Sequence, residues 1–185
     1  MKKTYIYGVM LSGLLFACCT QKQEARKPVS HTSGTFMKES IERNKKLINS
    51  EETLIKQIIA KDTANTYIAS PKGYWYYYDL KSDTETLTPK KGDIANFDYE
   101  VTDLSGNVIY TAEELKTQTY VVDKQHIMMG LRDGIKLMKK GEKVTFLFPS
   151  HMAYGYHGDN EKIGTNQPVI CKVTLNDFKT STEKP

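Results

Sequence analysis

A chain of 185 residues holds one well-cored domain plus a tail or a small helical appendage, and it is too short for two full-sized domains. The formal net charge of +4 falls to +2 without Lys2 and Lys3, and no basic cluster is interleaved with aromatic residues, which argues against nucleic-acid binding. Besides the adjacent Cys18 and Cys19, only Cys171 is present, so no intramolecular disulfide framework is predicted.

Residues 1–18 have the pattern of an export signal. Lys2 and Lys3 precede a nearly uncharged run over residues 5–17, which is too short to span a bilayer comfortably. The run ends in LFAC at residues 15–18, which resembles a bacterial lipobox. We therefore expect lipidation at Cys18, with Cys19 as an alternative acceptor and a cleaved secretion signal without lipid as the alternative interpretation.

The segment after the cysteines, residues 19–34, is polar and lacks an apolar period, which predicts a flexible tether. No aspartate follows Cys18 directly, and an aspartate there would resemble an inner-membrane retention signal. We expect a lipid anchor in the outer membrane, with the protein facing the periplasm.

Residues 35–66 predict a helical arm. Its apolar residues lie three, four or seven positions apart, with charged residues between them: Ile41, Leu47, Ile48, Leu54, Ile55, Ile58 and Ile59. Asn49 and Glu52 have the spacing of a capping pair, which suggests a break near Ser50. The arm either packs on a partner, including a second copy in a homodimer, or covers its own domain.

Residues 67–185 form the predicted main domain. The run GYWYYYDL at residues 73–80 predicts a strand with Tyr74, Tyr76, Tyr78 and Leu80 on one face, and its aromatic residues favour core packing over a peptide-stacking surface. Alternation over residues 94–101, a turn at residues 105–107, and strand patterns at residues 108–110, 118–122, 144–148 and 169–178 follow. The five strand signals from residue 94 onward, with one short helix before the fourth of them, predict an α+β fold with an antiparallel sheet on that helix.

The most informative segment is residues 127–155. Leu131, Ile135 and Met138 place an apolar stripe on one face of a helix, and Gly141 supplies a left-handed conformation where that helix ends. Val144, Phe146 and Phe148 then alternate as in a half-buried strand, and an aromatic loop with Tyr154 follows.

This order resembles the signature of FKBP-type peptidyl-prolyl isomerases, and the resemblance extends over about residues 92–178. It implies a curled antiparallel sheet wrapped around a short helix, with a pocket for a proline ring between them and no cofactor. The partners it implies are proline-containing polypeptide segments. The lipobox, the helical arm and the run YIASPKGYWYYY are together most similar to gliding-motility lipoproteins of that family from Bacteroidota.

The resemblance also implies site residues. It assigns catalytic positions to Tyr99, Tyr110, Ile127 and Tyr154, and substrate-binding positions to Ile109, Tyr120, Met128, Leu131, Ile163 and Cys171. In the family, the hydroxyl at Tyr154 and the backbone amide at Ile127 are expected to hold peptide carbonyls.

Four positions depart from the family pattern. Ile109 and Tyr110 replace a phenylalanine and an aspartate, Leu131 replaces a tryptophan, and Cys171 replaces a phenylalanine. We expect a wider, less aromatic pocket with weak to moderate isomerase activity, or a binding module that has lost catalysis. His151, His157 and Asp159 lie close together on the loop, but their spacing matches no standard metal site and we predict none.

Overall fold

The computed structural model describes residues 33–181. The predicted signal at residues 1–18, with Cys18 and Cys19, and the tether up to residue 32 lie outside the described part. Within the described range, residues 38–181 belong to one compact unit. The first described element, α1 (Ser33–Lys61), begins within the segment predicted as the tether.

Helix α1 is continuous, so the predicted break near Ser50 is wrong. The polar side chains at this point bond to the preceding turn of the helix instead of capping a new one. The Ser50 hydroxyl donates to the Leu47 carbonyl at 2.7 Å, and the Thr53 hydroxyl donates to the Asn49 carbonyl at 2.7 Å. Asn49 therefore lies inside the helix and does not cap one.

Residues 33–181 contain seven strands: β1 (Ile68–Ser70), β2 (Tyr74–Leu80), β3 (Ile94–Thr102), β4 (Val108–Tyr110), β5 (Gln118–Val121), β6 (Lys143–Phe148) and β7 (Val169–Lys179). They form one antiparallel sheet in the order β1-β2-β6-β7-β3-β4, and β5 pairs with the other end of β3. Short helices α2 (Ala112–Leu115) and α3 (Met129–Gly134) lie between β4 and β6. The α+β prediction is confirmed, with β1 as a strand that the sequence pattern did not reveal.

Helix α3 is shorter than its apolar stripe suggests. A 3₁₀ turn, Ile135–Leu137, follows the helix, and the backbone of Met138 is already extended. The stripe is nevertheless buried as predicted, since Leu131, Ile135 and Met138 are at most 2% exposed. Gly141 has a φ of +79° and its N–H donates to the Leu175 carbonyl at 2.7 Å, so it forms the turn into β6.

Strand β6 is buried on both faces, so the prediction of a half-buried strand is wrong. Thr145 and Leu147 are nearly as inaccessible as Val144, Phe146 and Phe148, since all five residues are at most 3% exposed. Helix α3 packs directly on its aromatic rings. A Cβ atom at Gly130 would lie 2.4 Å from the Phe148 ring, and one at Gly134 would lie 2.8 Å from the Phe146 ring.

The second half of α1 packs on the domain of its own chain, which is one of the two predicted alternatives. Ile55 is fully buried, and the Lys56 ammonium lies 5.6 Å from the centre of the Trp75 ring on β2. This contact covers the face of β2 on which Trp75 lies. No helix among residues 33–181 is both long enough and apolar enough to cross a membrane.

Candidate active site

A cavity of about 590 Å³ opens between β3, β5, helix α3 and the loop after β6. Five of the residues predicted for the site line it together: Tyr99, Ile127, Met128, Leu131 and Tyr154. The remaining lining residues are Phe97, Gln118, His126, Met129, Arg132 and Ala153. Side chains separated by up to 57 residues in the sequence thus meet at one hollow.

The floor of the cavity, residues 128–131, is held by apolar packing. Leu131 points from α3 into the core and is 2% exposed, and Met128 is 6% exposed. The sulfur of Cys171 on β7 lies 4.0 Å from the Met128 sulfur, so Cys171 supports the floor from behind and does not line the cavity. Burial raises the pKa of the Cys171 thiol, which therefore stays protonated and behaves as a small apolar group.

Two phenols, Tyr99 and Tyr154, lie close to each other at the cavity. Tyr99 comes from β3, where its ring packs 5.6 Å from that of Phe97, and Tyr154 comes from the loop after β6. Burial raises the pKa of Tyr99, and the neighbouring Tyr154 and Cys171 raise it further. Burial also raises the pKa of Tyr154. Both hydroxyls therefore keep their protons at neutral pH and can donate hydrogen bonds.

The backbone N–H of Ile127 is an available donor at the cavity wall. Ile127 precedes α3 and lies in no strand, and no residue within the described range 33–181 accepts a hydrogen bond from its N–H. A half-buried backbone donor without a partner is costly unless water or a ligand satisfies it. This N–H can accordingly bind a peptide carbonyl at the entrance.

Four further predicted residues do not line the cavity: Ile109 is half-buried against the core, and Tyr110, Tyr120 and Ile163 lie within it. Tyr120 is 1% exposed, and its hydroxyl accepts from the backbone N–H of Asp123 at 2.9 Å. It thereby shapes the turn that leads to the floor. Gln118, two residues earlier on the same face of β5, lines the cavity in its place.

Tyr110 is bound to the loop after β6. Its hydroxyl donates to the Asp159 carboxylate at 2.5 Å and accepts from the Lys162 N–H at 3.3 Å. Asp159 also accepts from the backbone N–H groups of Glu161 and Ile163. The position that lacks the family aspartate therefore has a carboxylate beside it, supplied by Asp159, which the sequence analysis considered only for a metal site that it rejected.

The loop wall of the cavity, residues 150–163, is thus fixed largely by polar contacts. The Asn166 N–H donates to the Gly155 carbonyl at 2.8 Å, and the Lys162 ammonium pairs with the Glu114 carboxylate on α2. Gly158 has no room for a side chain, since a Cβ atom there would lie 2.3 Å from the Ile163 carbonyl oxygen. Ile163 itself is 3% exposed and anchors the end of the loop wall in the core.

Several lining residues escaped sequence reasoning. Phe97 belongs to the same inward set as Tyr99 and could have been found by alternation along β3. Arg132 and His126 gave no periodic signal, because each is a polar residue beside an apolar one that carries the pattern. Only the folded arrangement shows that they add positive or titratable groups to the rim.

Comparison with known families matches residues 85–176 to the family described as FKBP-type peptidyl-prolyl cis-trans isomerase. A relative from Neisseria meningitidis serogroup B, named "Probable FKBP-type peptidyl-prolyl cis-trans isomerase FkpA", is 27% identical over 124 residues. The match covers 67% of this chain and 43% of that protein. Human peptidyl-prolyl cis-trans isomerase FKBP9 is 33% identical over 91 residues, which is 49% of this chain and 16% of FKBP9. The chain thus spans less than half the length of these relatives.

Solved structures show the same fold. FkpA from Escherichia coli superposes with a TM-score of 0.61 at 20% identity, covering 98% of this chain and 83% of that one. A peptidyl-prolyl cis-trans isomerase from Pseudomonas syringae superposes with a TM-score of 0.58 at 16% identity, covering 74% of this chain and 96% of that one. The FKBP-like architecture expected from the sequence is confirmed.

Proposed function

We propose that this chain, whose residues 85–176 match the FKBP-type peptidyl-prolyl cis-trans isomerase family, catalyses rotation about X-Pro peptide bonds in polypeptide segments. The observation that carries the proposal is the cavity in which Tyr99, Met128 and Leu131 meet Tyr154 beside the open Ile127 N–H. The cavity is concave, mostly apolar and furnished with a few donors, as a site for a proline ring requires.

Rotation needs no acid, base or nucleophile. The uncatalysed step takes roughly 10 to 100 s at room temperature because amide resonance must be lost on the way. The twisted amide has less charge separation than the planar one, so a cavity poor in water favours the twisted form relative to solution. The floor supplies the apolar surface, while the Tyr154 hydroxyl and the Ile127 N–H hold the peptide carbonyls on either side of the bond.

A second candidate function is a proline-binding module without catalysis. The observation that favours it is the engagement of the Tyr110 hydroxyl, which donates to Asp159 and accepts from Lys162 and so is not free to orient a substrate. In this case the cavity would retain peptide affinity while turnover would be lost, and the protein would serve as a chaperone or a structural part of an envelope machine.

Exchange NMR on a proline tetrapeptide with the purified full chain separates the two. An isomerase accelerates the cis–trans exchange, and Tyr154→Ala lowers kcat/KM by about tenfold, since one oriented hydrogen bond is worth about 1.4 kcal/mol. Tyr156→Ala is the matched control, because Tyr156 is 71% exposed two residues along the same loop. Binding of the peptide without any acceleration by the unaltered chain would establish the binding module and reject the enzyme.

The cellular setting is also a proposal. The export signal and lipobox support a lipoprotein anchored through Cys18, in the outer membrane facing the periplasm, that assists folding of exported proteins. The motif combination noted above supports a place among gliding-motility lipoproteins, and the exposed Phe36, Met37 and Ile41 on α1 support a homodimer through the arm. Radiolabelled palmitate incorporation that persists in Cys19→Ser but disappears in Cys18→Ser would support the anchor, and labelling of Cys18→Ser would reject this site.

A further inference from the structure

A carboxylate is buried where helix α1 meets the loop wall. Glu51 is 4% exposed, and its two carboxylate oxygens accept from the backbone N–H of Ser150 at 2.8 Å and from the Ser150 hydroxyl at 2.7 Å. Burial of an ionised carboxylate costs several kcal/mol unless charge-assisted hydrogen bonds compensate it. Both bonds that compensate Glu51 come from one residue of the loop wall.

Glu51 lies on the buried side of α1, where the helix meets the loop wall. It occupies the apolar stripe of the helix, three residues after Ile48 and four before the fully buried Ile55. The adjacent Glu52 instead points to the side of the helix and pairs with Lys56 at 3.0 Å, one helical turn further on. An apolar residue would be the ordinary choice at position 51. The carboxylate there therefore indicates that the loop wall needs a hydrogen-bond acceptor at this contact.

That surface leads directly to the cavity. Ser150 begins the 3₁₀ turn Ser150–Met152, and its carbonyl accepts from the Ala153 N–H at 3.0 Å. Ala153 and Tyr154 follow and both line the cavity. Because the turn is short and hydrogen-bonded, a shift at Ser150 moves the Tyr154 ring.

We propose that Glu51 is a positioning residue that sets the place of Tyr154 through Ser150. The proposal rests on the proposed isomerase function and adds to it a part of the site outside the family match at residues 85–176. Helix α1 is then a component of the active site and not only an arm. Glu51 touches no substrate and acts entirely through the loop wall.

The test compares Glu51→Leu with Glu51→Gln in the full chain. Leucine keeps the volume and helix propensity but removes both acceptors, and we expect kcat/KM to fall by about tenfold, because a misplaced catalytic group costs that much or more. Glutamine retains the bonds, since its carbonyl oxygen accepts from the Ser150 N–H and its amide donates to the hydroxyl, and activity should stay within about twofold. Glu52→Leu is the matched control and should leave activity unchanged.

A background with Tyr154→Phe distinguishes positioning from general destabilisation. If Glu51 acts through the Tyr154 hydroxyl, Glu51→Leu lowers kcat/KM by less than about twofold when that hydroxyl is already absent. An equal loss in both backgrounds, or no loss with Tyr154 present, would overturn the proposal. Should Glu51→Leu fail to fold, Ser150→Ala removes one of the two bonds and is expected to show the same dependence on Tyr154.

An independent readout separates this proposal from the proposed function. The ring resonances of Tyr154, labelled with ¹³C, should shift in Glu51→Leu and remain in place in Glu51→Gln and Glu52→Leu. If the unaltered chain shows no turnover, the isomerase proposal fails while this shift still decides the role of Glu51. Unshifted Tyr154 resonances in folded Glu51→Leu would reject the positioning role whatever the activity.

Discussion

The floor and the loop wall enclose the same cavity, but different forces hold them in place. The floor depends on apolar burial and close packing, with Gly130 against the Phe148 ring and Leu131 in the core. The loop wall depends on carboxylates that accept hydrogen bonds, Glu51 at its beginning and Asp159 near its end. We therefore expect changes in the floor to act mainly on stability and changes in the loop wall to act mainly on turnover.

The largest effect should come from Gly130→Ala in the floor. A methyl group at this position would lie 2.4 Å from the Phe148 ring, which itself is buried and cannot move freely. We expect a loss of about 3 kcal/mol in the free energy of unfolding, although alanine in an open helix position would stabilise it. Urea unfolding measures this, with Gly164→Ala as a control in which the nearest atom is 3.4 Å away. A neutral Gly130→Ala would contradict the account of the floor.

The next effect should come from Asp159→Asn in the loop wall. The variant removes the charge that accepts from Tyr110 and from two backbone N–H groups, so the loop wall should become mobile. We expect kcat/KM to fall about three- to tenfold, while the urea midpoint changes little, since the fold core is untouched. Asp103→Asn is the matched control, because Asp103 also accepts from two backbone N–H groups, in the β3–β4 turn. A large loss of stability with unchanged turnover would contradict the expectation that the loop wall acts mainly on turnover.

Acid should affect the loop wall before the floor. Burial acts to raise the pKa of Asp159, but hydrogen bonds from Tyr110, Glu161 and Ile163 outweigh it, so the pKa lies below its ordinary value. A carboxylate with a lowered pKa contributes stability that is present above about pH 4 and is lost as the pH falls through the lowered value. The protection of the amides of residues 159–163 against hydrogen exchange, relative to the intrinsic exchange rate at each pH, should fall over this range in the unaltered chain. The same pH dependence in Asp159→Asn would exclude Asp159 as the cause.

The smallest effect is expected at alkaline pH. Burial raises the pKa of both Tyr99 and Tyr154, so neither cavity phenol ionises below about pH 10. Contributions to stability from these groups are present below the ordinary pKa of tyrosine and decline only as the pH rises above it. We expect kcat/KM to remain flat between pH 8 and 9.5. A fall in this interval that disappears in Tyr154→Phe would show that Tyr154 ionises early.

The sequence alone determined the elements that have a periodic pattern. The stripe of Leu131, Ile135 and Met138, the alternation along β3 and the arrangement of the sheet around one helix could be predicted, because burial imposes a period on apolar residues. The resemblance based on this pattern agrees with the family match over residues 85–176, and it predicted the five cavity residues Tyr99, Ile127, Met128, Leu131 and Tyr154.

The partners of the polar residues become apparent in the folded chain alone. Glu51 accepts both hydrogen bonds from Ser150, which lies 99 positions away in the sequence, and Tyr110 donates to Asp159, which lies 49 positions away. A hydrogen bond depends on the distance and direction between two atoms. These quantities produce no periodic pattern of residues in the sequence. The same limit explains why Tyr120 was expected at the cavity while Gln118 lines it, and why the continuous helix α1 was expected to break at Ser50.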